Sequence, residues 1–447
     1  MDIFQYKLKI MKANLPTSEY PRVVIVGGGF GGITLAEKLA KQPFQVVMLD
    51  RHNYHTFQPL LYQVATGGLE PDSIAFPLRK MFHRQKNFHF RMTRVDSVDT
   101  EKQEVLTTLG PIAYDHLVLA TGSSTNFFGN QEIENNANGM KSVPEALDLR
   151  SLILQNFEQT HETDDINERD LLMDFVVVGG GPTGVEMAGA LAELKLHVLP
   201  HDYPELDFNL MNIHLVEGGS RLLSSMIEKS SKDAYQALEK LGVNIYLNER
   251  VTAFDGREVK TNSDLSFNAA TVIWAAGIKG NIPEGFTGEM VTRGNRLKVD
   301  PYNRVEGLEN VYAVGDLAYM ETEEWPKGYP QVAPTAMQMG RHLGDNFKRL
   351  ATGAPLEPFK YFDKGSMATI GRNKAVLDFR KLHLKGFLAW MGWMFVHIFY
   401  LIGFRNKAVV FVNWVWSYFT YDKGTRLIIR PFKRKKATLD EESPQPV

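Results

Sequence analysis

Cysteine is absent from this chain of 447 residues. Its absence excludes disulfide frameworks, thiolate metal sites, iron–sulfur ligation and dithiol redox chemistry. A secretory signal is missing as well, because the first twenty residues alternate polar and apolar side chains without an apolar run. We therefore expect a protein that starts in the cytoplasm, and we predict no metal site.

Net charge is also nearly absent, at a formal −2, but the charge is unevenly distributed. Residues 372–436 contain 14 Lys and Arg but only two acidic residues, and they form the most aromatic part of the chain. A basic tail can bind nucleic acid, but here the basic residues flank long apolar runs. This pattern favours an anionic membrane surface as the partner and argues against nucleic acid.

A glycine-rich turn follows the first β-branched run of the chain. After the turn come a helical pattern and a second strand that ends on Asp50, which is the arrangement of a βαβ dinucleotide fingerprint. Its glycines are Gly27, Gly29 and Gly32. We expect them to let a pyrophosphate approach the helix N-terminus, and we expect Asp50, with Arg51 beside it, to bind the adenosine ribose.

The same arrangement returns near the middle of the chain. There the glycines are Gly179, Gly181 and Gly184. The following strand ends on Glu217, 33 residues beyond Gly184, so an excursion must separate the helix from the strand. An acid at this strand end repels a 2′-phosphate and favours NADH over NADPH, although Arg221 is close enough in sequence to weaken that preference.

The segments around the two units complete the predicted organisation. Short strands are predicted within 92–121 and one polar helix at 144–170, and three further strands with glycine ends follow the second unit. The predicted fold class is α/β, with two Rossmann-like dinucleotide-binding domains, the second inserted in the first, and a C-terminal helical membrane-attachment region. The predicted parts are an N-terminal extension (1–21), a first nucleotide domain (22–171 and 301–371), a second nucleotide domain (172–300), the attachment region (372–436) and a disordered tail (437–447).

The apolar run at 386–404 is nineteen residues long, and His397 is its only His, Lys, Arg, Asp or Glu. As one helix it would span about 28 Å at about 1.5 Å per residue, just short of a hydrocarbon core of about 30 Å. The run is compatible with a transmembrane helix, with a buried core or dimer helix, and with helices that lie in the membrane interface. Four tryptophans suit the headgroup level, and they are Trp390, Trp393, Trp414 and Trp416.

Three further segments extend the nucleotide pattern, namely ATG at 120–122, AAG at 275–277 and VGD at 314–316. Together with the two units, they resemble the two-dinucleotide flavoprotein superfamily. In that superfamily the N-terminal unit holds FAD, the inserted unit holds NAD(P)H, and the late Gly-Asp pair returns to the flavin. The resemblance implies non-covalent FAD as the cofactor. It adds these cofactor-binding candidates: Ala120, Thr121, Gly122, Ala276, Gly277, Gly315 and Asp316.

A narrower resemblance rests on longer motifs, among them QPLLYQVATGGLEPDSIAFPLR, YAVGDLA, VAPTAMQMG and DKGSMATIGR. From about residue 22 to 430 the chain is similar to the type II NADH:quinone oxidoreductases. The resemblance implies NADH as the substrate and two-electron reduction of a quinone without proton pumping. It also implies a homodimer and monotopic attachment to the cytoplasmic face of the cell membrane. The lack of cysteine agrees, because disulfide reductases and sulfide:quinone oxidoreductases need it.

Three catalytic candidates follow from the same resemblance. Glu186, which we place in the first turn of the second helix, is expected to help position the nicotinamide and to tune flavin reduction or quinone protonation. Lys364 is expected near the flavin and the quinone, where a cation stabilises reduced flavin. Gln338 is expected to hydrogen-bond a flavin or quinone carbonyl. One departure is Pro334, which stands where the family often has Gln.

Two other functions remain open from the sequence. The first is a flavin-binding redox sensor or scaffold, in which NADH changes assembly instead of driving turnover. The second is a soluble ferredoxin-type reductase, which shares both nucleotide units but does not account for the apolar tail. Consumption of NADH in the presence of a short-chain quinone separates these functions from a quinone reductase.

Overall fold

The computed structural model describes residues 13–432. Contacts between residues divide the chain into two compact units. The first unit comprises Met1–His55, Phe76–Ser124 and Ile278–Lys364, and the second comprises Thr56–Ala75, Thr125–Gly277 and Gly365–Val447. The predicted tail at 437–447 lies outside the described residues, as do most of the extension at 1–21 and the last four residues of the attachment region.

Helices and strands are numbered in chain order. The helices are α1 Phe30–Lys38, α2 Leu61–Ala65, α3 Pro71–Ile74, α4 Leu78–Met81, α5 Gln131–Asn136, α6 Val143–Thr160, α7 Ile166–Met173, α8 Pro182–His197, α9 Leu199–Asp202, α10 Glu228–Glu239, α11 Ala333–Thr352, α12 Gly386–Tyr400 and α13 Phe404–Thr420. The strands are β1 Arg22–Val26, β2 Gln45–Asp50, β3 Tyr54–Thr56, β4 Ala75–Pro77, β5 Phe88–Met92, β6 Val95–Asp99, β7 Glu104–Thr107, β8 Gly110–Ala113, β9 His116–Leu119, β10 Ser123–Thr125, β11 Phe175–Val178, β12 Ile213–Glu217, β13 Asn244–Leu247, β14 Val251–Phe254, β15 Glu258–Thr261, β16 Ser266–Asn268, β17 Thr271–Trp274, β18 Ile278–Gly280, β19 Leu297–Lys298, β20 Val311–Ala313, β21 Ala318–Tyr319, β22 Ser366–Gly371, β23 Lys374–Phe379 and β24 Leu382–Lys385.

A parallel sheet of five strands forms the centre of the first unit, in the order β20-β9-β1-β2-β5. Val24 of β1 lies opposite Val47 of β2 and Leu117 of β9. These strands are continuous apolar runs and are buried on both faces, as parallel strands usually are. Because parallel strands end at the same edge, the sheet brings the turn after β1 next to the end of β2.

A second parallel sheet, in the order β13-β12-β11-β17, forms the centre of the second unit. Phe175 of β11 lies opposite Ile213 of β12 and Thr271 of β17. Every residue of β11 and β17 is buried. The two parallel sheets, each with its own βαβ unit, confirm the α/β class predicted from the repeated fingerprint.

Two helices occupy the segment predicted as one polar helix at 144–170. Helix α6 ends at Thr160, and α7 begins at Ile166. The side chain of Asp165 is the N-cap of α7 and accepts a hydrogen bond from the Asn167 N–H at 2.9 Å. The prediction of one continuous helix is therefore wrong, because the Asp165 carboxylate satisfies a free amide and starts a new helix.

A small antiparallel sheet in the order β22-β23-β24 leads directly into α12. Asp378 of β23 is buried, and it accepts hydrogen bonds from the Ser230 hydroxyl at 2.7 Å and the Ile227 N–H at 3.1 Å. Its Oδ1 is also 2.9 Å from Nδ1 of His383, whose Nε2 is 3.1 Å from Asp233 of α10. This buried network fixes the small sheet to α10.

Helices α12 and α13 each bury one narrow stripe of side chains. The buried residues are four apart, which places them on one face: Ala389, Trp393 and His397 on α12, and Asn406, Val410 and Trp414 on α13. Large apolar side chains elsewhere on both helices are exposed, namely Phe387, Leu388, Met391, Phe395, Phe399, Phe404, Phe411, Val412, Val415, Trp416 and Phe419. Two of the four tryptophans predicted for a headgroup level, Trp393 and Trp414, therefore point inward.

The apolar run at 386–404 does not form one helix. Helix α12 ends at Tyr400, and α13 begins at Phe404 after Gly403, whose φ is +85°. Of the alternatives left open for this run, a single helix of nineteen residues is not what forms, because the backbone turns at a glycine in the left-handed region. Within residues 13–432, no helix is both long enough and apolar enough to cross a membrane.

The two compact units and the predicted nucleotide domains have different boundaries. The first unit resumes at Ile278, whereas the first nucleotide domain was predicted to resume at 301. Helix α6 belongs to the second unit, whereas the prediction assigned residues up to 171 to the first domain. Since the units are defined by contacts and the domains by their expected ligands, the domain boundaries stay predictions.

Candidate active site

The first glycine turn joins β1 to α1. Gly27 has a φ of +112°, and a Cβ on it would collide with the carbonyl oxygen of Ala120. A Cβ on Gly32 would collide with the carbonyl oxygen of Gly27, and Gly29 is the N-cap of α1. Glycine at these positions therefore lets the turn close tightly and leaves the amides of the helix N-terminus accessible to an anion.

Asp50 is the last residue of β2 and lies beside this turn. Its Oδ2 accepts a hydrogen bond from the Gly28 N–H at 2.6 Å, and its Oδ1 accepts one from the His52 N–H at 2.7 Å. The carboxylate is held in place by main-chain donors and keeps acceptor capacity for ribose hydroxyls. Arg51 follows with an exposed side chain.

Two other predicted segments of the first unit come together. Residues 120–122 follow β9 directly, and Gly122 has a φ of +67° with open space where a Cβ would be. The late pair lies next to this segment, because the Ser123 hydroxyl donates a hydrogen bond to Oδ2 of Asp316 at 2.6 Å. Gly315, with a φ of +72°, starts the short turn that places Asp316 there.

The second glycine turn, between β11 and α8, repeats the geometry of the first. Gly179 has a φ of +109°, and a Cβ on it would lie 2.7 Å from the Cα of Ala276. A Cβ on Gly184 would collide with the carbonyl oxygen of Gly179. Gly181 is the N-cap of α8, and Pro182 occupies the first position of the helix, where no amide hydrogen is needed.

Glu217, the last residue of β12, lies beside this turn as Asp50 lies beside the first. Its Oε2 accepts a hydrogen bond from the Gly180 N–H at 2.5 Å, and its Oε1 accepts one from the Gly219 N–H at 2.6 Å. Gly277 follows β17 at the same edge of the sheet, and a Cβ on it would lie 3.0 Å from the ring of Phe128.

The guanidinium of Arg221 is bound to carbonyl oxygens of its own loop. Its Nη1 donates to the carbonyl oxygen of Met226 at 3.0 Å, and its Nη2 donates to that of Ser224 at 2.8 Å. These hydrogen bonds hold the guanidinium on its own loop. Within residues 13–432, no hydrogen bond or ion pair joins Arg221 to Glu217, the acid predicted to favour NADH.

Both glycine turns fit a dinucleotide by the same criteria. Each combines glycines where a Cβ would collide, an open helix N-terminus for a pyrophosphate, and a carboxylate held at the neighbouring strand end for a ribose. The chemistry of these donors and acceptors suits a dinucleotide in each unit.

A cavity of about 110 Å³ lies in the second unit, beside α8 and the inner faces of α12 and α13. Most of its walls are aromatic or apolar, from Tyr62, Trp390, Trp393, Met394, Trp414, Tyr418 and Tyr421. Four charged groups also line it, namely Glu186, Glu193, Arg372 and Lys423. An aromatic cavity with a few polar groups is the usual form of a site for a small planar ligand.

Glu186 lies in the wall of this cavity. Its Oε1 accepts long hydrogen bonds from the Trp393 Nε1–H at 3.3 Å and the Thr369 N–H at 3.4 Å. Burial raises the pKa of Glu186 to about 8, against the opposing effect of the two N–H donors. The carboxyl is therefore mostly neutral at pH 7 and can donate a proton.

The predicted position of Glu186 in the first helical turn is wrong. Helix α8 begins at Pro182 and has no acidic residue in its first turn, so Glu186 is its fifth residue and lies in the second turn. The helix dipole acts mainly within the first turn, so it does not decide the ionisation of Glu186. Burial does, and it acts in the opposite direction.

Gln338 lies on α11 in the first unit, and its side-chain amide pairs with the backbone of Phe362. Its Nε2 donates to the Phe362 carbonyl oxygen at 3.0 Å, and its Oε1 accepts from the Phe362 N–H at 3.0 Å. Pro334 occupies the first turn of α11, where its missing N–H costs nothing. Lys364 is exposed just before β22.

Most of the chain is similar to known proteins. Residues 21–340 match the family described as pyridine nucleotide-disulphide oxidoreductase, and residues 364–420 match the NDH2 C-terminal domain. The type II NADH:quinone oxidoreductase NdhA of Mycobacterium tuberculosis is 36% identical over 445 residues, covering 95% of this chain and 93% of that protein. This chain belongs to the type II NADH:quinone oxidoreductases.

Two more comparisons agree with this family. The type II NADH:quinone oxidoreductase Ndh of Mycobacterium tuberculosis is 37% identical over 428 residues, covering 92% of this chain and 91% of that protein. The structure of NDH2 from Plasmodium falciparum in complex with NADH superimposes with a TM-score of 0.82 at 22% identity, covering 92% of this chain and all of that one. At that identity the structural match shows the fold.

This type II oxidoreductase also has candidate site residues that the sequence did not reveal. Tyr62 and Gln63 of α2 line the cavity, and Gln63 donates to the Tyr62 hydroxyl at 2.9 Å. Its Oε1 in turn accepts from the Trp414 Nε1–H at 2.7 Å. The motif that contains Tyr62 and Gln63 contributed to the family resemblance, but nothing in it indicated that these side chains meet α13.

Proposed function

We propose that this protein oxidises NADH and reduces a quinone by two electrons, with non-covalent FAD as its cofactor and without pumping protons. FAD would be held by the Gly27 turn with Asp50, and NADH by the Gly179 turn with Glu217. The nucleotide domains would be those predicted, 22–171 with 301–371 for FAD and 172–300 for NADH. Bound FAD supplies a two-electron carrier between the two substrates, and the protein orients them and excludes water.

The observation that supports this function best is the position of α8. Its N-terminus begins at the Gly181 cap of the NADH cradle, and its later turns line the aromatic cavity through Glu186, Ala190 and Glu193. One helix therefore serves both a nucleotide cradle and a cavity suited to a planar ring. We assign this cavity to the quinone, because most of its walls are aromatic or apolar and a carboxyl group, Glu186, lies among them.

Glu186 would donate a proton to the quinone. Reduction to a quinol requires protons as well as electrons, and a carboxyl with a pKa of about 8 holds its proton at neutral pH. The N–H groups of Trp393 and Thr369 hold the Glu186 carboxyl in the cavity wall. They also stabilise the carboxylate that proton donation leaves behind.

Lys364 and Gln338 have different parts in the proposal. Lys364 would supply positive charge near the reduced flavin, as the family resemblance implies. The Gln338 amide already pairs with the Phe362 backbone, so its contribution would be to position the segment that carries Lys364. A carbonyl of flavin or quinone would have to compete with those two hydrogen bonds.

Membrane attachment would be monotopic, through the exposed faces of α12 and α13 on the cytoplasmic side of the cell membrane. The exposed side chains include Phe395 at 72% and Phe419 at 77%, which is costly in water and favourable in a lipid interface. Basic residues of 372–436 would add attraction to anionic lipids. The homodimer stays a prediction that sedimentation of the purified protein would test.

The test is direct. FAD-loaded protein is mixed with NADH and a short-chain quinone, and the NADH absorbance is followed together with quinol formation. We expect one quinone to be reduced for each NADH oxidised. NADH binding without turnover would favour the redox sensor, and reduction of an iron–sulfur protein but not of quinone would favour the ferredoxin-type reductase.

A further inference from the structure

Arg250 lies beside Gly218, the residue that follows the end of β12. Gly218 follows Glu217, and a Cβ on Gly218 would lie 3.1 Å from Cγ and 3.5 Å from Nε of Arg250. The Arg250 side chain therefore runs along the loop that follows the ribose-binding acid. Its backbone is fixed, since its N–H donates to the Asn262 side chain at 2.5 Å and its carbonyl oxygen accepts from the Asn262 N–H at 2.8 Å.

The backbone before Arg250 is tied to the same loop. The Glu249 N–H donates to the carbonyl oxygen of Glu217 at 3.0 Å, and the Asn248 N–H donates to that of Gly219 at 2.9 Å. These two hydrogen bonds set where the Arg250 side chain begins. They hold it beside the cradle although it is far from Glu217 in sequence.

Arg250 is available to an anion, whereas the other nearby arginine is not. The Arg250 side chain is exposed, and its guanidinium makes no hydrogen bond or ion pair with any residue in 13–432. Arg221, by contrast, is held by the carbonyl oxygens of Met226 and Ser224. A guanidinium presents planar, paired donors that match a phosphate.

We propose that Arg250 is the cationic half of a latent subsite for the 2′-phosphate of NADPH, which the carboxylate of Glu217 keeps closed. This inference rests on the proposed binding of NADH at Glu217. The carboxylate accepts the 2′-hydroxyl of NADH but repels a phosphate at that position. Because Arg250 is already in place, removal of one negative charge opens the subsite without any added cation.

The first experiment compares kcat/KM for NADPH with that for NADH in four FAD-loaded proteins: the natural chain, E217Q, E217Q/R250Q and E217Q/R221Q. We expect E217Q to raise the NADPH-to-NADH ratio by about tenfold or more, as a charge-assisted hydrogen bond to phosphate would. Part of this gain comes from loss of the carboxylate alone, so the diagnostic quantity is kcat/KM for NADPH within the E217Q background. It should fall by about tenfold in E217Q/R250Q and stay unchanged in E217Q/R221Q. If loss of Arg250 leaves it unchanged, or loss of Arg221 lowers it equally, the assignment is wrong.

A second measurement needs no quinone turnover, so it separates this inference from the proposed function. Adenosine 2′,5′-bisphosphate and AMP are titrated calorimetrically into the same proteins, with FAD content as the check of folding. In the E217Q background, Arg250→Gln should weaken the bisphosphate by about tenfold and leave the affinity for AMP as it was. Equal weakening of both ligands would assign Arg250 to a group that they share and overturn the subsite.

Discussion

Substitution of Glu186 by Gln tests whether this carboxyl is neutral at physiological pH. Its pKa is raised to about 8 by burial. At pH 7, about one pH unit lower, about nine in ten molecules should therefore hold the proton. A difference infrared spectrum of the natural protein against Glu186→Gln should show a protonated carboxyl band at pH 7 that disappears with a midpoint near pH 8.

The raised pKa of Glu186 also makes the free energy of unfolding depend on pH. A carboxyl whose pKa is higher in the folded chain than in the unfolded chain does not lower the free energy of unfolding below pH 4.5, where both states are protonated. Between pH 4.5 and about 8 the unfolded state ionises and the folded state does not, so the free energy of unfolding falls. The loss is complete above about pH 8.

The size of this loss of stability follows from how far the pKa of Glu186 is raised. Raising the pKa of Glu186 from 4.5 to about 8 lowers the free energy of unfolding by at most about 5 kcal/mol, which local relaxation reduces to a few kcal/mol. Glu186→Gln should therefore gain stability relative to the natural protein at pH 9 and show no difference at pH 4. Urea unfolding of the two FAD-loaded proteins at both pH values measures this.

Glu193→Gln provides the matched control. Glu193 lies on the same face of α8 two turns further on and also lines the cavity, but its carboxylate accepts a hydrogen bond from the Arg372 N–H. The band that titrates near pH 8 should persist in this variant. If the infrared band is absent at pH 7, or if Glu186→Gln gains no stability at pH 9, the argument for a neutral carboxyl fails.

Three further changes test other parts of the structure. Gly184→Ala should abolish NAD⁺ binding in a calorimetric titration but preserve FAD content, because the new Cβ collides with the carbonyl oxygen of Gly179; normal NAD⁺ binding would contradict the cradle. Trp393→Phe removes an N–H that favours the ionised form of Glu186, so the infrared midpoint should move above pH 8, and a lower midpoint would contradict this reasoning. Asp378→Ala leaves the buried donors of its network without an acceptor and should cost about 3 kcal/mol in urea unfolding, and an unchanged midpoint would refute that role.

The geometry of the two glycine turns was predictable because its determinants are local. Gly27 and Asp50 belong to one βαβ unit, as do Gly179 and Glu217 to another, and a parallel sheet brings each pair to one edge. Collisions that a Cβ would cause explain why glycine is needed at these positions. No knowledge of distant contacts is required to infer such a turn.

The cavity was not predictable from the same kind of pattern. Tyr62, Glu186, Trp393 and Trp414 come from four separate helices, and their meeting depends on packing that no short motif encodes. The tryptophans were expected at a lipid surface because composition alone does not say which face of a helix is buried. Gly403 likewise interrupts a run that hydrophobicity alone would continue.

Helix α8 fixes both the distance and the rotational angle between the Gly181 turn and the carboxyl groups in the cavity wall. From Gly181 to Glu193 it advances twelve residues, or about 18 Å at about 1.5 Å per residue. An insertion or deletion of one residue between Gly184 and Glu186 would still form a helix, but it would rotate both carboxyls by about 100° away from the cavity. The same rotation would carry Gly189 away from the Ile370 carbonyl oxygen, where a Cβ would collide, and would bring another residue of the helix toward it. This segment should therefore tolerate changes of side chain far better than changes of length.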